Sequence, residues 1–201
     1  GTVINETPLL FEGINDQGLG VASLNFPRNA VFNKPQDGKL NLAPYEIITY
    51  FLSAYKTLDE VKKDIDKLNI TDVRFLDNLP LAPLHYLIAD KSGAIVVEQS
   101  KEGLKIYDNP YQILTNNPPF SYHLENVNNY MGLSSKQIEN RFSPDLNLIP
   151  HSLGMGSLSL PGDASSPSRF IRAFFYKYHQ DKKTSIDEER KSYFDLLAKV
   201  K

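Results

Sequence analysis

Two asparagines precede a pair of prolines near the middle of the chain, where residues 114–120 read Leu-Thr-Asn-Asn-Pro-Pro-Phe. These residues follow a run of β-like segments, so we predict that Asn116 stands where a strand ends and the prolines force a turn. An amide in such a position can project a polar side chain into a cleft. The pattern also fits an ordinary turn asparagine, and the residues alone favour neither interpretation.

Asn25 and Arg169 are the other polar residues whose surroundings draw attention. Asn25 lies two residues before Pro27, at the end of another β-like segment. Arg169 falls near the start of a predicted helix, close to Phe170 and Ile171. An arginine in an apolar setting either extends its charged end to solvent or pairs with a buried acceptor. A turn asparagine and a surface arginine remain the alternatives.

Other catalytic patterns are missing from the sequence. Cysteine is absent, which excludes disulfides, thiolate metal ligands and a cysteine nucleophile within these 201 residues. The four histidines lack metal-ligand spacing, and neither a Gly-x-Ser-x-Gly elbow nor a Gly-rich phosphate loop occurs. We therefore expect no metal site and no cofactor. We interpret His85, between Leu84 and Tyr86, as a hydrogen-bonded core residue.

The composition indicates a globular protein with a sizeable core. Of the 201 residues 41% are hydrophobic, including 11 Tyr and 11 Phe, and the net charge is -2. This charge argues against a general nucleic-acid binder and against a polybasic membrane surface, and no apolar run approaches the ~20 residues of a membrane span. Strand-like residues begin at Val3 without an initiator Met, so we expect the chain to start inside a domain.

The apolar pattern predicts antiparallel strands in two places. Residues 9–15 and 19–26 flank a turn-like Asp-Gln-Gly, which favours a hairpin. From residue 84 onward the chain is rich in Ile, Val, Leu and Tyr and is interrupted by turn residues, which predicts a meander. Its four strands are expected at residues 84–89, 94–99, 104–107 and 112–115.

Helices are predicted before and after the meander. The first runs from Pro44 to residue 55. The second begins at Thr57, because Thr57 and Glu60 match a capping box and apolar residues keep helical spacing as far as Leu68. Further helices are expected at residues 124–131, 165–180 and 185–201. Helices and antiparallel strands are thus segregated, which predicts an α+β fold in a single domain, residues 1–201.

Together these segments resemble the choloylglycine hydrolase family, which contains bile salt hydrolases and penicillin V acylases. The resemblance runs from about residue 6 to about residue 178, with its motifs in the same order. The motifs are Glu-Gly-Ile-Asn-Asp-Gln-Gly-Leu-Gly at 12–20, Leu-Asn-Phe-Pro at 24–27, Asn-Leu-Ala-Pro-Tyr-Glu at 41–46, Leu-Pro-Leu-Ala-Pro-Leu-His at 79–85, Leu-Ile-Ala-Asp-Lys-Ser-Gly at 87–93, Val-Glu-Gln at 97–99, Tyr-Asp-Asn-Pro at 107–110, Leu-Thr-Asn-Asn-Pro-Pro-Phe at 114–120, Leu-Pro-Gly-Asp at 160–163 and Ser-Arg-Phe at 168–170.

The resemblance implies both a fold and a reaction. The fold is the αββα sandwich of N-terminal-nucleophile hydrolases, in which two antiparallel sheets are stacked between helical layers. The reaction is amide hydrolysis by an N-terminal cysteine whose own α-amine serves as base, with an acyl-enzyme intermediate and an oxyanion hole. That cysteine has no counterpart in these residues. We therefore expect the chain to be the middle portion of such a domain, incomplete at both ends.

The resemblance also implies roles for individual residues. Asn25 and Asn116 match the family's two oxyanion positions, with Asn117 as the competing choice for the second. Arg169 matches the arginine that contacts the nucleophile. Asparagine in Leu-Asn-Phe-Pro is typical of bile salt hydrolases, whereas penicillin acylases of the family tend to have tyrosine there. The favoured substrates are therefore the glycine or taurine amides of bile acids. Penicillin V acylase activity and an inactive remnant that binds an apolar carboxylate are the alternatives.

A conjugated bile salt needs a broad apolar pocket that is open to solvent. Phe26, Phe120, Tyr122 and Leu133 are candidates for its wall, with core packing as the alternative for each. The resemblance further implies a cytoplasmic bacterial enzyme with no cofactor, no nucleic-acid partner and no membrane insertion, which forms homo-oligomers such as a tetramer.

Overall fold

The computed structural model describes residues 1–4, 6–181 and 183–200, and the chain divides into two compact units, Gly1–Ser121 and Tyr122–Lys201. The strands are β1 (Thr2–Ile4), β2 (Thr7–Leu9), β3 (Glu12–Ile14), β4 (Gly20–Asn25), β5 (Leu40–Leu42), β6 (Leu68–Ile70), β7 (Leu84–Asp90), β8 (Gly93–Ser100) and β9 (Gly103–Asp108). The helices are α1 (Ile47–Ala54), α2 (Leu58–Asp64), α3 (Phe120–Asn126), α4 (Ser166–His179) and α5 (Ile186–Lys199). None of these helices is long and apolar enough to cross a membrane.

A five-stranded antiparallel sheet, in the order β3-β4-β7-β8-β9, forms the framework of the first unit. The side-chain oxygen of Asn15 accepts hydrogen bonds from the N–H groups of Gln17 and Leu19 and closes the turn between β3 and β4. Gly18 within this turn has a φ of 87°, which glycine adopts without steric cost. These features confirm the predicted hairpin, and β7, β8 and β9 confirm three strands of the meander.

The fourth predicted strand of the meander, residues 112–115, is absent from the described structure. Here the backbone bonds to side chains and to a turn rather than to a neighbouring strand. Asn109 donates from Nδ2 to the Ile113 carbonyl at 2.9 Å, and Gln112 donates its N–H to the Asn109 carbonyl at 3.2 Å. Gln112 also has a positive φ of 53°, which is incompatible with a strand. Asn116 therefore follows a loop, and its expected place at a strand end is wrong.

The core of the first unit lies between the sheet and the pair α1 and α2. Alternate residues of the central strands face the helices, as the two-residue period of a strand requires. The sheet contributes Leu19, Val21, Tyr86, Ile88, Ile95 and Val97, and the two helices contribute Ile47, Ile48, Phe51, Leu58 and Val61. Burying each such side chain stabilises the fold by about 1.5–3 kcal/mol, so this layer holds the strand ends in fixed positions.

The second helix begins as predicted but ends earlier than expected. Thr57 caps α2 by accepting a hydrogen bond from the Glu60 N–H. Leu68, expected on the helical face, instead begins β6, which pairs in parallel with β5. The side-chain amide of Gln99 bonds to both the N–H and the carbonyl of Ile70, at 2.8 and 2.6 Å. This buried contact from β8 replaces the next helical turn and keeps the backbone extended.

The second unit contains most of α3, together with α4, α5 and a long irregular stretch between α3 and α4. Ser165 and Ser185 cap α4 and α5 through their side chains, which confirms both predicted helix starts. The predicted helix at 124–131 begins earlier, with α3 at Phe120. Lys201, the expected end of the last helix, lies outside the described residues.

Candidate functional site

Asn25 and Asn116 lie side by side in the first unit. Asn25 is the last residue of β4, and Asn116 donates from Nδ2 to its backbone carbonyl at 2.8 Å. The two residues are 91 positions apart in the chain. The fold thus brings together two of the polar residues that the sequence analysis singled out separately.

Asn117 makes a parallel contact one residue further along. Its Nδ2 donates to the Pro27 carbonyl at 2.6 Å, and the following Asn117–Pro118 peptide bond is cis. Its Oδ1 is buried and has no hydrogen-bond partner among the described residues. Both amides therefore tie the loop to the chain that leaves β4.

A mainly apolar cavity of about 530 Å³ has Asn25 and Asn116 in its wall. Ligand pockets in proteins have typical volumes of about 300–1,000 Å³. The other lining residues, which are largely apolar, are Leu9, Leu10, Phe11, Ser23, Leu24, Pro44, Tyr45, Phe75, Leu79, Pro80, Leu81, Ala82 and Leu84. The site therefore presents two amides beside an apolar surface, which suits a ligand with an apolar body and a polar group to be held.

Tyr45 adds a hydroxyl group to this wall. Its ring packs edge-on against Phe75, with 5.2 Å between the ring centres. Desolvation on partial burial, and then the charge of Glu46, raise the pKa of Tyr45 above its ordinary value. The phenol therefore remains protonated at neutral pH and can donate a hydrogen bond.

The four predicted wall residues lie elsewhere, since the described residues that line this cavity do not include them. Phe26 and Phe120 have no solvent exposure, and Phe26 stacks on His85 with 4.4 Å between the ring centres. Phe26 and Phe120 therefore pack in the core, which the sequence analysis gave as the alternative to a place in the pocket wall. Tyr122 and Leu133 belong to the second unit, where Tyr122 is exposed and Leu133 is half-buried.

Sequence reasoning missed most of the residues that line the cavity. Two short apolar stretches, residues 9–11 and 79–82, contribute many of them without forming part of the five-stranded sheet. Prolines at 80 and 83 keep the second stretch out of regular structure. For residues 79–82, an apolar run that prolines keep out of a helix or a strand was the available signal.

His85 and Glu98 form a buried pair in the same unit, on the adjacent strands β7 and β8. Nδ1 of His85 is 2.9 Å from Oε1 of Glu98, and Nε2 is 2.8 Å from the Thr115 carbonyl oxygen. His85 is fully buried and Glu98 is 2% exposed. This geometry confirms the interpretation of His85 as a hydrogen-bonded core residue. Across the described ranges, no group of three or more His, Cys, Asp or Glu side chains is arranged to hold a metal ion.

Arg169 lies in the first turn of α4, in the second unit. Its Nε donates to the Ala164 carbonyl at 3.3 Å, and the residue is half-buried. Arg172, one turn later, was not singled out by the sequence. It is only 8% exposed and donates from Nη1 to the carbonyls of Pro161 and Asp163, at 3.1 and 2.6 Å. Arg172 thus fixes the chain that leads into α4.

Asp163 completes the start of this helix. Its carboxylate accepts hydrogen bonds from the Ser165 N–H at 2.9 Å and from the Ser168 hydroxyl at 2.6 Å. Hydrogen bonds from Ser165 and Ser168 hold the pKa of Asp163 well below its usual range. The carboxylate is therefore ionised at neutral pH, and it orients the turn that carries Arg169.

Comparison with known sequences connects this geometry to a family. The profile described as linear amide C-N hydrolases, choloylglycine hydrolase family, matches residues 1–201. The chain is 45% identical over 197 residues to a bile salt hydrolase/transferase of Lactiplantibacillus plantarum, covering 98% of this chain and 61% of the relative. It is 36% identical over 202 residues to a bile salt hydrolase/transferase of Clostridium perfringens, covering 100% and 61%. The chain thus spans about three fifths of the length of these curated relatives.

Comparison with solved structures gives a consistent result. A variant of conjugated bile acid hydrolase from Clostridium perfringens superposes with a TM-score of 0.87 at 36% identity, covering 100% of this chain and 62% of that one. A penicillin V acylase from Agrobacterium tumefaciens superposes with a TM-score of 0.71 at 23% identity, covering 94% and 51%, and this similarity concerns the fold alone. The predicted α+β fold class of N-terminal-nucleophile hydrolases is therefore confirmed.

Proposed function

Because the chain belongs to the choloylglycine hydrolase family of linear amide C–N hydrolases, as its motifs predicted, we propose that it serves in hydrolysing the amide bond of glycine- or taurine-conjugated bile salts. The observation that carries the proposal is the pairing of Asn25 and Asn116 in the wall of an apolar cavity. Such a cavity suits the steroid body of a bile acid, and the amides suit its polar end. The relatives named as bile salt hydrolases support the substrate class.

In this proposal Asn25 and Asn116 stabilise the oxyanion of the tetrahedral intermediate. An amide side chain that is already fixed by another hydrogen bond loses little freedom when it donates to a developing negative charge. The hydrogen bond from Asn116 to the Asn25 carbonyl supplies this orientation. Asn116 lines the cavity and Asn117 is not among the lining residues, which favours Asn116 over its neighbour for the role.

The attacking group in this proposal is the thiolate of an N-terminal cysteine, as in the family, and none of these 201 residues supplies it. The thiolate adds to the substrate carbonyl, and the carbon–nitrogen bond then breaks while the amine leaves with a proton. A thioester between the cysteine and the bile acid forms, and water hydrolyses it. Arg169 is assigned the contact with the nucleophile on the basis of its Ser-Arg-Phe motif.

The substrate class can be tested with the protein as its gene encodes it. We expect release of glycine from glycocholate or of taurine from taurocholate at a higher kcat/KM than hydrolysis of penicillin V. A charge in the cavity, Leu81→Asp, should raise KM for the bile salts because the apolar body loses its contact surface. Failure to release either amino acid, or a preference for penicillin V, would contradict the proposal. The mass of the purified protein before and after alkylation of thiols tests whether a cysteine is present.

We also carry two family properties into the proposal, a homo-oligomeric assembly such as a tetramer and a location in the bacterial cytoplasm. Light scattering coupled to size-exclusion chromatography measures the assembly, and cell fractionation measures the location. A monomer at assay concentration, or recovery of the protein outside the cytoplasm, would contradict the respective property.

A further inference from the structure

The loop that carries Asn116 is held at both of its ends by one buried pair of side chains. At the start of residues 115–120, the Thr115 carbonyl accepts a hydrogen bond from Nε2 of His85 at 2.8 Å. At the end, the Phe120 N–H donates to Oε1 and Oε2 of Glu98, at 3.0 and 3.2 Å. Since His85 and Glu98 also contact each other at 2.9 Å, the two attachments form one continuous network.

Hydrogen-bond accounting determines where the protons of this network lie. A carbonyl oxygen only accepts, so Nε2 of His85 must carry a proton in order to bond to Thr115. The contact between Nδ1 and Oε1 of Glu98 requires one further proton, on one of the two atoms. The pair is therefore neutral overall wherever that proton resides, which avoids the high cost of an isolated buried charge.

The packing around the pair leaves its side chains little freedom. His85 stacks on Phe26 with an angle of only 6° between the ring planes. His85 and Glu98 lie on adjacent strands, one step beyond the Tyr86–Val97 pair of β7 and β8. The network therefore fixes the position of the loop relative to buried residues of the sheet.

We propose that His85 and Glu98 are positioning residues, which set the direction of the Asn116 side chain by fixing the loop on either side of it. This inference rests on the proposed oxyanion role of Asn116. Asn116 is one residue from the His85 contact, and its own bond to the Asn25 carbonyl requires the loop to lie close to the end of β4. A misplacement of about 1 Å of a catalytic group can lower turnover on the order of 100-fold.

Two variants separate the hydrogen bonds of the network from the carboxyl group of Glu98. In Glu98→Gln the amide oxygen can still accept from the Phe120 N–H, while its NH₂ group donates to Nδ1 of a neutral His85. In the double variant His85→Phe with Glu98→Leu, both polar groups are replaced by apolar ones of similar size, so no unpaired charge is buried. The Thr115 carbonyl and the Phe120 N–H then lose their hydrogen bonds to the pair. The ring at position 85 can still stack on Phe26.

We expect kcat of the double variant to fall on the order of 10- to 100-fold, with KM changed less than about 3-fold. We expect both kcat and KM of Glu98→Gln to stay within about 3-fold of those of the unmodified protein. Amide hydrogen exchange at Phe120 should be faster in the double variant and unchanged in Glu98→Gln. Nitrogen chemical shifts of His85 in the unmodified protein should show a proton on Nε2.

A matched control is available on the same strand. Gln99 is 3% exposed and bonds to Ile70 and Val31, away from the Asn116 loop. Gln99→Leu should therefore lower the melting temperature without changing kcat. A purely structural role for the His85 and Glu98 pair would make the double variant behave like this control.

The outcomes that overturn the inference differ from those that overturn the function. If the unmodified protein releases neither glycine nor taurine from bile salts, the proposed function fails. If it is active and the folded double variant keeps its kcat, or if Glu98→Gln is as damaging as the double variant, only the positioning role fails. A His85 protonated on Nδ1 alone would also overturn it.

Discussion

At the scale of single residues, the site depends on amides whose orientation is set by the backbone of another segment. Asn116 bonds to the Asn25 carbonyl and Asn117 bonds to the Pro27 carbonyl, so two neighbouring side chains have similar local environments. Only Asn116 lines the apolar cavity. The pair therefore offers an internal comparison of a catalytic role with a structural one.

The first prediction concerns these neighbours. Asn116→Asp keeps the shape of the side chain but replaces the donor by an acceptor, and we expect kcat to fall on the order of 10²–10³-fold as for loss of an oxyanion donor. Asn117→Asp should act mainly on stability. Steady-state kinetics on glycocholate measure both. A change of only a few-fold for Asn116→Asp would assign this residue to the turn.

The second prediction concerns two arginines that lie one turn apart on α4. A lysine cannot reproduce the planar fork of an arginine, so Arg169→Lys should lower kcat if Arg169 contacts the nucleophile. Arg172 instead bonds to backbone carbonyls in a buried place. Arg172→Lys should therefore lower the melting temperature. Comparing kcat and melting temperature for both variants decides the assignment, and the reverse pattern would contradict it.

At the scale of elements, the start of α4 illustrates how a few short-range contacts hold the first turn of a helix. Asp163 accepts from Ser165 and Ser168, and Ser165 caps the helix. Such contacts join residues two to five positions apart, so the motif Leu-Pro-Gly-Asp followed by Ser and the helix start could be recognised from the sequence.

The third prediction is a pH dependence of this element. Asp163 has a lower pKa in the folded state than its ordinary value of 3.8 because of its hydrogen bonds to Ser165 and Ser168. A carboxylate whose pKa is lower in the folded state stabilises the fold at pH values above its pKa in the unfolded state. This contribution is lost as the pH falls through the lower pKa of the folded state. Asp163→Asn should therefore be less stable than the unmodified protein at pH 7, with a difference that shrinks below pH 3.8.

Urea unfolding at a series of pH values from 7 to 2 measures this difference. A gap that stays constant over the whole range would show that Asp163 acts through its shape and not through its charge. Ser168→Ala, which removes one of the donors, should show a smaller version of the same trend.

Element boundaries were less predictable where a distant side chain competes with local structure. Leu68 has helical spacing in the sequence, yet Gln99 bonds to Ile70 and keeps this segment extended. Residues 112–115 have strand-like composition, yet the Ile113 carbonyl accepts a hydrogen bond from Asn109 and the Thr115 carbonyl accepts one from His85. Gln99 and His85 are distant in the chain from the carbonyls they contact, so a local pattern cannot reveal them, whereas Asn109 lies only four residues before Ile113.

At the scale of the whole molecule, the chain consists of two compact units. The first has the apolar core between its sheet and helices, together with Asn25, Asn116 and the cavity. The second carries Arg169 on α4. The stability of the first unit therefore bears directly on the site.

The fourth prediction tests this core. Phe51 on α1 has no solvent exposure and lies in the core cluster. Phe51→Ala should lower the free energy of unfolding by about 3–5 kcal/mol, because the cavity it leaves is only partly filled by relaxation. Phe142 is 85% exposed, so Phe142→Ala should change the free energy of unfolding by less than about 0.5 kcal/mol. Denaturant unfolding measures both, and similar effects for the two would contradict the assigned core.

The sequence by itself determined the family, the α+β class, the hairpin, the starts of α2, α4 and α5 and the identity of the polar residues worth testing. The family follows from the ordered motifs. The hairpin and the helix starts depend on caps, turn residues and apolar spacing, which act over a few neighbouring positions. Only the tertiary structure decided that Asn116 meets Asn25, that residues 79–82 line a cavity and that His85 and Glu98 hold a loop. The physical reason is that each of these contacts joins segments distant in the chain, where packing of the sheet selects which buried donor meets which acceptor.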